Sequence, residues 1–186
     1  MTQALNGKRV AILAAAGFEE SELSVPRAAL QKEGVEVHIV TPDGKGIRAW
    51  AETEWGDTYE ADKALADVNE SDYHALVLPG GLFNPDELRT NDEALSFVKA
   101  FFQAGKPVAA ICHAPWILIN AGVVEGRRMT SVPSVAQDLL NAGVEWVDEP
   151  VVDSGLVTSR TPKDLDAFNA KLLEELQEGR HAGQHA

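Results

Sequence analysis

Short apolar runs without polar alternation constrain this chain most. Residues 9–15 (RVAILAA), 73–78 (YHALVL) and 106–111 (KPVAAI) are short for helices and too uniformly apolar for strands with one wet face. Such runs suit strands buried on both sides, as in parallel sheets. Segments with helical spacing lie between them. Residues 19–33 are stopped by Gly34, residues 85–104 read as one long helix stopped by Gly105, and residues 113–121 end at Gly122. Strands alternating with helices predict an α/β fold with a mostly parallel central sheet and helices on both faces.

The other segments fit this frame. Residues 35–40 alternate as a strand and end in the turn Thr-Pro-Asp-Gly. Residues 44–60 suit a hairpin or an irregular excursion, and 61–68 a short helix. Residues 129–132, 144–147, 151–152 and 156–159 read as short strands, and 133–141 as a helix. Residues 162–178 form a last helix, with Thr161 as N-cap and Pro162 at the first helical position. The expectation is one domain over 1–186, with 179–186 a flexible tail whose histidines reflect a free terminus rather than a metal site.

Composition narrows the function. A formal net charge of −13 disfavours a phosphate backbone as partner, and Arg127-Arg128 is only a doublet. A single cysteine excludes an intrachain disulfide. The start lacks a secretory apolar stretch, and no run approaches the ~20 apolar residues that span a bilayer. A cytoplasmic chain with a reduced thiol is expected, with no membrane or specific nucleic-acid partner. Neither zinc-like ligand spacing nor a phosphate loop is present, so no metal or cofactor is expected.

In open parallel sheets, sites form beyond the carboxyl ends of the strands. Three such ends carry distinctive residues: 17–22 (GFEESE), 79–81 (PGG) and Cys112-His113. Cys112 lies between a strand and a helix, the setting of a nucleophile elbow. Amides of the following helix and a nearby imidazolium would favour its thiolate, and His113 could shuttle protons. The alternative is a buried core cysteine. Glu22 could donate a hydrogen bond to sulfur from a carboxyl kept protonated by burial, with Glu19 one turn earlier; the alternative is a solvated acidic helix start. Gly80 and Gly81 could supply oxyanion-hole amides or simply form a turn. Asp86 is either a helix-terminal charge or a partner for His113. The tryptophans read as core or interface; Trp116 stands apart because it lies one turn past Cys112.

With AAICHAPW in view, together with GFEESELSVPRAAL, YHALVLPGG, NPDELR, GRRMTS and NAGVEWVDEPVVDSGLVTSR, the chain resembles the ThiJ/PfpI superfamily. Its nearest likeness there is to PfpI-type intracellular proteases and bacterial general stress proteins. The resemblance runs from about Lys8 to the last helix and implies a flavodoxin-like sandwich. It places Cys112 as the reactive elbow cysteine and His113 as its neighbour. Glu22 is the buried glutamate at the thiol, Glu19 an acid at the pocket mouth, and Gly80 and Gly81 the oxyanion-side glycines. Asp86 stands where PfpI-type proteases carry a glutamate that reaches the neighbouring subunit's histidine, which implies a homodimer or a higher oligomer. Val132 departs from the family's frequent aromatic residue and weakens transfer of peptidase activity.

Three functions follow from this resemblance. The leading one is a cysteine-dependent stress-response enzyme acting on reactive carbonyls or glycated adducts, like a deglycase or glyoxalase. The others are an intracellular cysteine peptidase and a non-enzymatic redox-sensing or chaperone-like stress protein.

Overall fold

The computed structural model describes residues 5–186. In chain order its elements are β1 (Arg9–Leu13), α1 (Glu20–Lys32), β2 (Glu36–Thr41), β3 (Ile47–Ala51), β4 (Glu54–Tyr59), β5 (Lys63–Ala64), β6 (Ala75–Leu78), α2 (Phe83–Leu88), α3 (Asp92–Gln103), β7 (Val108–Ile111), α4 (Pro115–Ala121), β8 (Arg128–Met129), α5 (Ala136–Asn141), β9 (Glu145–Trp146), β10 (Val151–Asp153), β11 (Leu156–Ser159) and α6 (Leu165–Glu178). Seven strands form the central sheet in the order β10-β11-β7-β6-β1-β2-β5. All its pairings are parallel except β10 with β11.

The uniformly apolar runs are buried on both faces because successive side chains point to opposite sides. Val10 and Ile12 of β1 join one core with Leu23, Leu30, Phe168 and Leu172 from α1 and α6. Ala11 and Leu13 join the other, with Val98 and Phe101 of α3 and Leu118 of α4. Hydrophobic burial on both faces thus fixes the central strands, and their carboxyl ends, in place. No helix of the described residues is long and apolar enough to cross a membrane.

Several local expectations change. The long helix over 85–104 is two helices, because Asn91 caps α3 by accepting a 2.9 Å bond from the Ala94 amide. Residues 61–68 give the edge strand β5 and a short 3-10 turn, since β2 pairs with Lys63 and Ala64. Thr161 precedes a 3-10 turn and makes no side-chain cap bond. The region 44–60 is the hairpin β3–β4, tied to the loop after β1 by Gly17 N–H to Arg48 O and Trp50 N–H to Phe18 O, both 2.8 Å.

Residues 179–186, expected as a flexible tail, fold back on the chain. The His181 amide donates to Gly105 O at 2.8 Å, and buried Gln184 donates through Nε2 to Lys106 O at 3.1 Å. Arg127 Nη2 donates to His185 O at 3.0 Å.

Candidate active site

Cys112 stands between β7 and α4 with φ of 64°, a left-handed conformation uncommon outside glycine. Such a backbone costs on the order of 1–3 kcal/mol and persists only where its surroundings hold it. Here they do. The Cys112 amide donates to Ser159 O of β11, and its carbonyl accepts from the Val132 amide, each at 3.0 Å. The turn leaves the residue only 9% exposed.

Glu22 reaches the same place from α1. Glu22, Pro26 and Leu30 form a buried stripe at four-residue spacing, so the carboxyl sits where the helix should be apolar. Its Oε1 accepts the Gly80 amide at 3.0 Å. Its Oε2 has no well-formed hydrogen bond to oxygen or nitrogen, and the Gly81 amide and the Cys112 side chain are further polar neighbours of the carboxyl. Burial, reinforced by the charge of Glu19, pushes the Glu22 pKa from 4.5 up to about 8, against the opposing amides of Gly80 and Gly81. The carboxyl therefore holds a proton at neutral pH.

Glycine is demanded at both loop positions. A Cβ on Gly80 would lie 2.6 Å from Glu22 Oε1 and 2.7 Å from Cys112 Cβ and Ile111 O. A Cβ on Gly81, where φ is 78°, would lie 2.5 Å from Gly17 O. The loop thus seats α1 directly against the elbow. Because the Gly80 amide is committed to Glu22, the amides facing the sulfur are those of Gly81 and His113.

The thiol differs from expectation. Burial first, then the Glu22 charge, push Cys112 up to about 12, although the Gly81 and His113 amides act the other way. Burial also lowers the pKa of His113, which disfavours the imidazolium over the neutral ring. What sequence could not supply was depth. The resting pair is a thiol with a neutral base, Sγ lying 3.2 Å from His113 Nδ1. Protonation of Glu22 removes the charge that opposes thiolate formation.

Glu19 is half-buried at the start of α1 and accepts from the Glu52 amide at 3.2 Å; burial raises its pKa. Trp116 lies edge-on to His113, with ring centroids 5.1 Å apart. Its Nε1 donates to Asp138 Oδ2 at 2.7 Å, and the Arg89 guanidinium sits 5.0 Å above its ring. Trp116 therefore backs the histidine. Asp86 is exposed on α2, and no hydrogen bond joins it to His113 among the described residues.

Sequence reading missed Asn84. It is fully buried; Nδ2 donates to Pro79 O at 2.9 Å and Gly80 O at 3.1 Å, while Oδ1 accepts the Ala15 amide at 2.6 Å. One side chain thus ties the loop after β6 to the end of β1. Its signal was an asparagine three residues beyond Gly-Gly, between Leu82-Phe83 and Pro85.

Residues 8–175 match the DJ-1/PfpI family. The chain belongs to this family. It is 45% identical over 170 residues to a protein of Pyrococcus abyssi named a deglycase, covering 91% of this chain and 99% of that one. It is 41% identical over 174 residues to general stress protein 18 of Bacillus subtilis, covering 92% and 99%. Its fold matches a two-domain protein of Anabaena variabilis containing DJ-1/ThiJ/PfpI-like and ferritin-like domains, with TM-score 0.85 and 33% identity. That match covers 91% of this chain and 48% of the other.

Proposed function

We propose that this DJ-1/PfpI family member is a cofactor-independent enzyme that uses Cys112 on small reactive carbonyls, methylglyoxal among them, and on the adducts these form with amines. The observation that carries this reading is a fully buried Glu22, holding the Gly80 amide at 3.0 Å, beside a cysteine held at positive φ. Relatives named deglycases agree with it.

The chemistry balances without an added oxidant. Neutral His113 takes the thiol proton as Sγ adds to the aldehyde carbon. The carbonyl electron pair moves onto oxygen, which the Gly81 and His113 amides stabilise and the Glu22 carboxyl protonates. His113 and Glu22 then move a proton from the former aldehyde carbon to the neighbouring carbonyl through an enediol, giving a thioester. Water cleaves the thioester to lactate and restores the thiol. On an aminocarbinol adduct, Sγ bonds to the carbinol carbon as the carbon–nitrogen bond breaks, the amine leaves with the thiol proton carried by His113, and the resulting hemithioacetal follows the same path.

Depth favours a small electrophile over a peptide. A thiol in a residue 9% exposed accommodates a few atoms more readily than a carbonyl flanked by chain on both sides. The proposal includes a homodimer in which the partner's Asp86 approaches His113. Exposed Leu82 and Phe83 on the same segment, with Trp55 stacked on Phe83 at 6.0 Å, offer apolar surface for it.

Metal-free protein should convert methylglyoxal to lactate, and Cys112→Ala should reduce the rate to background. Unchanged turnover in that variant would sink the proposal. The same active preparation should sediment as a dimer; a fully active monomer would contradict the Asp86 assignment.

A further inference from the structure

A second buried glutamate lies at the opposite edge of the sheet, outside the chemistry above. Leu165, Phe168, Leu172, Glu175 and Leu176 are the buried residues of α6, so Glu175 occupies a core position. It is 5% exposed, and its Oε2 makes no well-formed hydrogen bond. His181 Nε2 lies only 2.7 Å from that oxygen, yet it too has no hydrogen-bond partner of acceptable angle. Glu178 Oε2 is 3.8 Å from the same nitrogen. One ligand atom from each residue falls within 4.8 Å of the other two.

The fold builds this convergence. The His181 amide is anchored on Gly105 O at 2.8 Å, at the chain's entry to β7. Gly155 leaves room for the imidazole, since a Cβ there would lie 2.9 Å from His181 Cδ2. Lys171 already pairs with Glu174 at 2.8 Å. Two carboxylates and an imidazole therefore converge on one point.

We propose that Glu175, Glu178 and His181 form a binding site for a divalent transition-metal cation, Zn²⁺ being the probe of choice. Imidazole with carboxylate suits such ions. Ligand atoms in a tetrahedral zinc shell with bonds of ~2.1 Å lie about 3.4 Å apart, inside the range these atoms span. A bound ion would satisfy both orphaned atoms and neutralise the repelling carboxylates. It would also fasten the carboxyl-terminal tail to α6.

Untagged, chelator-stripped protein carrying Cys112→Ser removes the competing thiol. Titrated calorimetrically with Zn²⁺, it should bind one equivalent and gain thermal stability. His181→Ala should weaken binding at least tenfold. Glu178→Gln alters an exposed side chain, so the fold should survive, and it should also weaken binding. Absence of stoichiometric binding, or affinity in both variants unchanged from that of the parent protein, would overturn the site and leave a histidine–glutamate contact only.

Discussion

Glu22 and Glu175 occupy the same kind of position with different outcomes. Each lies on the buried stripe of its helix, and in each burial raises the carboxyl pKa. Each also has an Oε2 without a well-formed hydrogen bond. Glu22 stands at the carboxyl edge of the central strands, against a thiol and glycine amides. Glu175 stands near the start of β7, against an imidazole and a second carboxylate. A buried carboxyl alone therefore does not define a site's chemistry. The partner delivered by the adjoining loop does. Beside the thiol, a neutral acid can give up a proton; beside histidine and a second carboxylate, an anion can hold a cation.

The sharpest way to break this comparison is to replace each glutamate by glutamine. Glu22→Gln should lower carbonyl turnover by about 10²–10⁴, the usual worth of a positioned acid or base. Glu175→Gln should leave turnover close to wild type. Both raised pKa values mean that the folded state binds more protons than the unfolded state. For Glu22, the resulting stability is fully present below pH 4.5 and is lost as pH rises through about 8. Urea unfolding between those limits should therefore show a fall that Glu22→Gln lessens, by up to ~1.4 kcal/mol per pH unit. Glu175→Gln should lessen the fall in the same direction. Equal turnover in the two variants would erase the functional distinction.

A smaller effect sharpens the active-site half. Asn84→Ala removes three hydrogen bonds that join β1 to the Gly80 loop. Chemical denaturation should show a loss of about 1–3 kcal/mol, the cost of leaving buried partners unsatisfied. Turnover should fall modestly. A neutral result would mean that the loop is held without it.

Much of this arrangement was readable from sequence, because it rests on local pattern. The uniformly apolar runs gave the strands of a two-sided sheet, and Cys112 followed one of them directly. The residue pattern alone left Glu22 open between an acid at the thiol and a solvated helix start, and the family resemblance decided for the buried acid. Protonation was less legible. The high thiol pKa and neutral His113 arise from depth, which no spacing encodes. The Gly80 amide looked free for an oxyanion until Glu22 was seen to accept it. Asn84 and His181 act through contacts 69 and 76 positions away, with Ala15 and Gly105. Such long-range pairings leave no local period.

The protonation state of Glu22 tests the central claim most directly. A carbon-13 NMR titration of the glutamate side-chain carboxyls, with Glu22→Gln used to assign the resonance, reads it without turnover. The account predicts a midpoint near 8, with the carboxyl protonated at neutral pH. A midpoint near 4.5 would place a carboxylate beside the thiol and contradict the proposed proton transfer.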